Sequence, residues 1–182
     1  MAGVGIIVDG SGDYSSLRTR FTGNCRILKT DGPRGHTANI KNIVRSSGKQ
    51  VAMLRECGCR KIIVMIDFEM RAEDYVEFVN NLKGEFGRYY TNCKVEASVP
   101  NRMIENWYLA DIAFLSKHKS FLKRNLRQQN FEGLNGKEEL KRRFARGFSY
   151  IETTHGPQIF AMLRFGMARK HSSSFDDFLS ML

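Results

Sequence analysis

Short apolar runs alternate, over the first hundred residues, with longer segments in which apolar residues recur at helical spacing. The apolar runs at 4–8 and 62–66 have the length of buried strands, the second being apolar on both faces, and the mixed segments at 25–29 and 94–98 have the length of further strands. Strands and helices that succeed each other about 30 residues apart are typical of βαβ units. The pattern therefore predicts an α/β fold with a three-layer, Rossmann-like layout, in which a mostly parallel sheet carries helices on both faces.

Capping residues and apolar spacing place the helices between these strands. Asp13 predicts the cap of the first helix, and Thr37 predicts the cap of a second helix that is interrupted near Gly48. Further helices are expected at about 72–86 and within 100–116. The first two thirds of the chain thus have the alternating elements of an α/β core.

The last third of the chain has a different character. Segment 117–146 carries ten Lys or Arg and three Glu, and apolar residues such as Leu122 and Leu126 stand at helical spacing within it. This spacing predicts helices that pack on the sheet and leave their cations in solvent. Further on, Pro157 predicts the first turn of a helix that runs to about residue 170, and Ser174 opens a capping box for a last short helix.

Length and composition favour one folded domain over 1–182, with a core over about 1–116 and a basic helical C-terminal part over about 117–182. Apolar residues make up 42% of the 182 residues and charged residues 26%, which suffices to bury a core and argues against disorder. No apolar run reaches the roughly 20 residues that a membrane-spanning helix needs. The first residues lack the basic and apolar regions of a signal peptide, so a cytoplasmic location without a membrane partner is expected.

Basic residues exceed acidic ones by 29 to 19, a net charge of +10. Such an excess favours a polyanionic partner, nucleic acid first, although a generically basic surface would account for it as well. The residues expected to contact phosphate in the C-terminal part are Lys123, Arg124, Arg127, Arg142 and Arg143. No base-reading motif accompanies them, so the expected affinity for DNA or RNA is salt-sensitive and independent of base sequence.

Acidic residues follow the first and third predicted strands. Asp9 lies in a glycine-rich turn, and Asp67 and Glu69 follow the most apolar run. The carboxyl ends of parallel strands form the ligand crevice of α/β sheets, and residues two apart on an extended segment point to the same side. Carboxylates without His or Cys suit Mg²⁺ or Mn²⁺. A single acidic pair is more often a solubilising or capping feature, but the joint pattern favours a metal site.

Other polar residues near these acids are candidates for supporting roles. Lys29 precedes a Gly/Pro loop that contains Arg34 and leads to a helix N-terminus, where free N–H groups favour a phosphate, although an ordinary turn explains the loop as well. Glu105 is either a further metal ligand or a residue that complements a helix dipole. Trp107 is expected to pack in the core.

Five segments, in order along the chain, resemble a known protein family. They are residues 6–13, 27–35, 64–69, 104–111 and 168–175. An acid in a glycine turn followed by a later acidic strand end resembles the Toprim fold of topoisomerases, primases and small nucleases. The whole chain resembles the small bacterial Toprim-like family catalogued as domain of unknown function 4276.

This resemblance implies a nuclease that uses Mg²⁺ or Mn²⁺ to hydrolyse phosphodiester bonds. It implies catalytic roles for Asp9, Asp67 and Glu69, and metal binding by Asp67, Glu69 and Glu105. Two positions depart from the Toprim pattern: Asp9 stands where Glu is usual, and Glu69 where Asp is usual. The resemblance also implies an anti-phage or DNA-processing module with an ATPase partner, which would act in trans because this sequence has no Walker motif.

Two other functions are compatible with the same sequence. The chain can be a non-catalytic nucleic-acid-binding or regulatory subunit of a larger complex, with the basic C-terminal part as its contact surface. It can also be a nucleotide-handling enzyme that uses the same acidic crevice. Metal-dependent cleavage of a polymer distinguishes the nuclease from both, and the sequence leaves the oligomeric state open.

Overall fold

Four parallel strands form the sheet in the computed structural model, which describes residues 3–32 and 37–182. The strands are β1 (Val4–Val8), β2 (Cys25–Lys29), β3 (Lys61–Met65) and β4 (Lys94–Ser98), in the spatial order β2-β1-β3-β4. Every neighbouring pair is parallel. The predicted α/β fold with a parallel sheet is therefore confirmed, and its strand order fits a Rossmann-like layout.

Helices connect and follow these strands. In the described residues they are α1 (Ser11–Phe21), α2 (Ile40–Ser46), α3 (Gly48–Glu56), α4 (Tyr75–Tyr89), α5 (Ile104–Leu109), α6 (Ile112–His118), α7 (Gly136–Lys141), α8 (Glu152–Met162), α9 (Phe165–Ala168) and α10 (Ser173–Ser180). None of these helices has the length and apolar character needed to cross a membrane.

Alternate residues of the central strands enter two different hydrophobic clusters. Ile6 of β1 packs in one cluster together with Leu17 of α1, whereas its neighbour Ile7 packs in the other together with Phe78 of α4. Successive strand residues point to opposite faces of a sheet, so apolar side chains cover both faces. This explains why residues 6–8 of β1 and residues 62–65 of β3 are all apolar.

The adjacent strands β1 and β3 send their following helices to opposite faces, since α1 packs in the first cluster and α4 in the second. The register aligns the two strand ends, with Val8 of β1 opposite Met65 of β3. A parallel sheet opens a crevice at such a switch in connection, outside the carboxyl ends of the strands. Asp9 directly follows β1, and Asp67 lies two residues after β3, so both residues lie at this crevice.

Helix starts differ from the sequence expectation at several capping residues. Gly10 precedes α1, so Asp13 lies inside its first turn and does not cap it. Asn39, rather than Thr37, caps α2, and its Oδ1 accepts a hydrogen bond from the Asn42 N–H at 3.1 Å. The expected interruption near Gly48 is confirmed by the break between α2 and α3.

The end of the chain shows a similar displacement. Ser172, rather than Ser174, caps α10 and accepts a hydrogen bond from the Phe175 N–H at 3.2 Å. The Ser174 hydroxyl instead accepts from Trp107. Several polar residues within three positions can each cap a helix, and long-range contacts decide which one does so.

The helices expected within 100–116 and from Pro157 to about residue 170 are each divided. Pro157 lies inside α8, which begins at Glu152 and ends at Met162. Asp111 separates α5 from α6, and it accepts hydrogen bonds from the backbone N–H of Arg164 at 3.2 Å and from its guanidinium at 2.9 Å. The backbone N–H of Arg164, just beyond the end of α8, is thus bound by the Asp111 side chain and not by a helical carbonyl.

The basic stretch is mostly irregular, contrary to the helices expected there. Between α6 and α8, all of which the structure describes, α7 is the only helix. Leu122 pairs with Phe144 in an isolated antiparallel bridge, and both side chains are buried. Positive φ values of 56° at Asn125, 77° at Gly133 and 88° at Gly147 are incompatible with a helix. Apart from Leu140 of α7, the buried apolar residues of this stretch thus reach the core from loops.

Candidate active site

A cleft of about 150 Å³ opens at the carboxyl ends of β1 and β3. It receives side chains from the ends of both strands, from α1, α5, α7 and α8, and from the segment before α8. The residues that line it are Asp9, Gly10, Gly12, Asp13, Asp67, Glu69, Ile104, Glu105, Tyr108, Lys137, Tyr150 and Glu152. The four acids singled out from the sequence, at positions 9, 67, 69 and 105, are all among them.

Asp9 and Asp13 form a buried, hydrogen-bonded pair of carboxyl groups. Gly10 makes room for this pair, because a Cβ atom at position 10 would lie 2.3 Å from Asp13 Oδ2. Burial, followed by the charges of Asp9 and Glu105, raises the pKa of Asp13 well above its usual range. The two carboxyl groups are therefore arranged to hold a proton between them. The sequence did not place Asp13 in the site, since a helix cap explained it equally well.

Asp67 contributes a carboxylate oxygen without a partner. Its Oδ1 is buried and forms no hydrogen bond with any described residue. Burial, followed by the charges of Asp13 and Asp9, raises the pKa of Asp67 well above its usual range. A buried, unsatisfied oxygen of this kind is a costly feature, which a cation or a proton would relieve.

Glu69 reaches the cleft by a route that differs from the one predicted. Strand β3 ends at Met65, so residues 67–69 are not a continuation of the strand. Glu69 has a left-handed backbone with φ of 52°, and its carbonyl accepts a hydrogen bond from the Arg102 guanidinium at 2.9 Å. The extended-chain argument for placing Asp67 and Glu69 on one side was therefore wrong, although both residues do line the cleft.

Glu105 enters from the first turn of α5, where its side chain is 3% exposed. The Tyr150 hydroxyl donates a hydrogen bond of 2.8 Å to Glu105 Oε1. Burial raises the pKa of Glu105, while the charge of Lys137 and the bond from Tyr150 oppose the rise. Burial and the Glu105 charge in turn raise the pKa of Tyr150, so this tyrosine stays a donor that fixes the direction of the carboxylate.

Lys137 places an ammonium group over the acids. It forms an ion pair of 2.6 Å with Glu152 of α8. Burial lowers the pKa of Lys137, but Glu152 and Glu105 outweigh it and raise the pKa overall. Gly136 permits the position, because a Cβ atom there would lie 2.5 Å from Asn106 Oδ1 on α5. Lys137 is one of ten Lys or Arg residues in segment 117–146, so the sequence around it did not identify it as a site residue.

The cleft is strongly acidic, since six carboxyl groups and one lysine line it among the described residues. Oxygen donors without His or Cys match Mg²⁺ and Mn²⁺, and the unpartnered Asp67 oxygen is consistent with a cation ligand. In residues 3–32 and 37–182, however, no three His, Cys, Asp or Glu side chains stand in an arrangement that could hold a metal ion. The donor chemistry thus fits a hard cation, and binding one requires side chains to rotate.

The residues expected to contact phosphate lie elsewhere, as far as the structure describes them. Lys29 is exposed at the end of β2, with its Nζ 3.5 Å from Ser11 Oγ at the start of α1. Arg34 lies outside the described residues. Neither Lys29 nor the five basic residues of the C-terminal part belongs to the lining of the cleft.

Three of those five basic residues have internal contacts. Lys123 Nζ donates to the Arg142 carbonyl at 2.6 Å, and Arg142 and Arg143 both form ion pairs with Glu139. The guanidinium of Arg143 also lies 4.4 Å from the centre of the Phe131 ring. These three residues stabilise the irregular segment around α7.

Arg124 and Arg127 differ from the other three. Both are exposed, and within the described part of the chain neither forms a hydrogen bond or an ion pair. They are therefore the C-terminal cations best available to a phosphate backbone.

Comparison with known proteins gives one match. A family model described as a domain of unknown function (DUF4276) matches residues 15–182, which include Asp67, Glu105 and Lys137 but not β1 and its acidic turn. Searches of curated proteins and of solved structures found no match. Because the matched range covers most of its length, the chain belongs to the DUF4276 family.

Proposed function

We propose that this protein is a metal-dependent nuclease that hydrolyses phosphodiester bonds. The observation that carries the proposal is the meeting of six carboxyl groups, from separate elements, at the switch point of the sheet. Mutual repulsion and burial make such a cluster costly, as the raised pKa values of Asp13, Asp67 and Glu105 indicate. A cluster of this kind is retained most readily where it has a chemical role.

Asp67, Glu69 and Glu105 would hold the ion, with the unpartnered Asp67 oxygen as its first ligand. Bound Mg²⁺ or Mn²⁺ would polarise the phosphodiester and lower the pKa of a water molecule. The Tyr150 hydroxyl keeps the Glu105 carboxylate directed to one side of the cleft. Asp9 is the third acid, near the nucleophile or leaving group, and its hydrogen bond with Asp13 lets the pair accept or return a proton.

Lys137 has the position of a phosphate contact. Its ammonium group is the cation that lines the cleft in the described residues, and Glu152 is its partner in the free protein. A substrate phosphate can replace Glu152 in this ion pair, since both are anionic oxygen acceptors. Lys137 would then have an anionic partner both before and after substrate binding, and the bound phosphate would lie beside the acids.

The Toprim-like assignment is part of the same proposal. It is supported by the acids at the ends of the adjacent parallel strands β1 and β3. The shorter Asp9 and the longer Glu69 would place the ion nearer β1 than the usual residues would. The backbone of Glu69 is left-handed, so its side chain leaves the chain in a different direction from that of an extended residue. This direction also affects where the ion would lie. A defence or DNA-processing setting, with an ATPase acting in trans, belongs to this assignment.

Cleavage of labelled polymers tests the proposal directly. Purified protein is incubated with single-stranded DNA, double-stranded DNA and RNA, each with Mg²⁺, Mn²⁺ or EDTA. We expect cleavage of at least one polymer with Mg²⁺ or Mn²⁺ and none with EDTA. Retention of a polymer without cleavage would overturn the nuclease and favour the non-catalytic binding subunit. Turnover of nucleoside triphosphates alone would favour a nucleotide-handling enzyme.

Replacing Lys137 by Met is expected to weaken binding of a cleavage-resistant phosphorothioate oligonucleotide about tenfold, because one charge-assisted phosphate contact is lost. The Lys137→Arg variant should bind nearly as the wild type does. Fluorescence anisotropy in Mg²⁺ at several salt concentrations measures the effect, and the salt slope should fall by about one.

Lys141→Met is the matched control for Lys137→Met. It removes the same charge from the same helix, where Lys141 is exposed and paired with Glu138 outside the cleft. The double variant Lys137→Met/Glu152→Gln avoids an unpaired Glu152 and should bind as weakly as Lys137→Met. Equal losses from Lys137→Met and Lys141→Met would mean that only net charge matters.

A further inference from the structure

We propose that the outer edge of β2 is a docking groove for an acidic, extended segment of a partner protein, which binds there as an added strand. The proposal is independent of the nuclease activity, because the groove and the acidic cleft share none of their lining residues. It rests on the geometry of the sheet edge, on the shape of the groove and on its charge.

Strand β2 lies at one end of the sheet, where it pairs with β1 alone. Within the described residues its backbone forms no hydrogen bond on the side away from β1. The other edge strand, β4, is in contact with α10. An uncovered edge presents a row of N–H and C=O groups that an extended peptide can satisfy.

The groove has a wall on each side of this edge. Residues of α1 form one wall and residues of α3 form the other, and these helices pack in the two different hydrophobic clusters on opposite faces of the sheet. The floor is β2 itself, from Cys25 to Leu28, and the volume is about 290 Å³. A groove that follows a strand edge between two flanking helices has the shape needed to accommodate an extended peptide.

The chemistry of the lining indicates the partner. Arg18 from the α1 wall and Arg26 from the floor are both exposed, and no acidic residue lines the groove among the described residues. Ile27 and Leu28 are half-buried there, and Met53 is 45% exposed. Arg26 alternates along β2 with Cys25 and Ile27, which pack on the α1 face, so Arg26 stands on the α3 face and each face of the groove offers one arginine beside apolar side chains. An added strand that alternates acidic and apolar residues would place its carboxylates near one of these arginines and its apolar side chains against the apolar lining of the other face.

A second copy of this chain is disfavoured as the occupant. Pairing of two β2 edges would bring the Arg18 and Arg26 side chains of one copy against those of the other. Like charges at close range oppose association, whereas carboxylates at the same positions favour it. The groove is thus assigned to an acidic partner segment.

A fluorescein-labelled octapeptide of alternating Glu and Val is the first probe, and a Lys–Val octapeptide is its counterpart. We expect the Glu–Val peptide to bind and the Lys–Val peptide to bind at least about tenfold more weakly. The double variant Arg18→Glu/Arg26→Glu should reverse this preference. The matched control, Lys41→Glu/Lys83→Glu, makes the same charge change on α2 and α4 and should retain it. Equal binding of both peptides, or of neither, overturns the proposal.

N-methylation of the peptide tests strand addition itself. Only one edge of an added strand faces β2, so methylation of every second amide should abolish binding in one register and preserve it in the other. Equal behaviour of the two methylated peptides overturns the proposal. Analytical ultracentrifugation of the wild-type protein and of the Arg18→Glu/Arg26→Glu variant completes the experiment. If the wild type is a dimer and the variant is a monomer, the edge binds a second copy of the chain, and the proposal of an acidic partner is overturned.

Discussion

Asp67→Asn is expected to reduce metal-dependent cleavage by a factor of about 10³ or more and, at the same time, to raise the melting temperature. Cleavage falls because an amide is a poor substitute for a carboxylate ligand. Stability rises because the variant removes a charge that lies among Asp9, Asp13 and Glu105. A gain of about 1 kcal/mol corresponds to about 2–4 °C in a domain of this size. Glu56→Gln, at an exposed position on α3, should change neither property.

The effect of Asp67→Asn on stability should depend on pH. The pKa of Asp67 is higher in the folded protein than in the unfolded chain, so the folded state holds this proton more tightly. Stability from this group is therefore present at low pH and is lost as pH rises through the folded pKa. Thermal unfolding of the wild type and the variant should differ most near neutral pH and converge on acidification. A variant that melts lower than the wild type at pH 7 would contradict the acidic-cluster argument.

Trp107→Ala is expected to have the largest effect on stability, a loss of about 3–5 kcal/mol, or about 10 °C in melting temperature. The indole is fully buried and stacks on Phe178 at 5.1 Å between ring centroids. Its Nε1 donates a hydrogen bond of 2.9 Å to Ser174 Oγ. Removing the ring therefore leaves a cavity between α5 and α10 and takes one hydrogen bond from the Ser174 hydroxyl.

Milder variants keep this prediction testable if Trp107→Ala does not fold. Ser174→Ala should cost about 1–3 kcal/mol, because it leaves the indole N–H buried without an acceptor. Trp107→Phe should be less harmful than Trp107→Ala. Chemical denaturation measures all three variants. Loss of cleavage in Trp107→Phe at unchanged stability would show that this residue serves the reaction and not only the packing.

Short-range regularity explains what was predictable in the fold. Strands β1, β2 and β4 have the predicted bounds, and β3 is displaced by one residue. The two central strands, β1 and β3, are marked by continuous apolar runs, which are typical of buried strands in a parallel sheet. The helix boundaries were less accurate because several capping residues compete within a few positions. After α8, for example, the backbone N–H of Arg164 is bound by the side chain of Asp111, a partner 53 residues away.

The acids after β1 and β3 could be recognised as site residues because the carboxyl ends of parallel strands lie at the same edge of the sheet. Asp9 and Asp67 were placed in a common crevice by that rule alone, and both line the cleft. Glu69 was placed correctly for the wrong reason, since its backbone is left-handed and not extended. Asp13 resembled an ordinary helix cap, and its pairing with Asp9 depends on the close approach that Gly10 permits.

The amino-acid sequence alone determined the α/β class, the parallel strands and the acids at the strand ends, because these depend on the pattern within each element and on the order in which strands and helices succeed each other. The partners of those acids depend on packing between distant segments. Tyr150 meets Glu105, and Lys137 meets Glu152, only after α7 and α8 have packed beside α5 and α1. Tertiary structure therefore decided the charge balance of the cleft, since burial and the distance between side chains set the strength of each interaction.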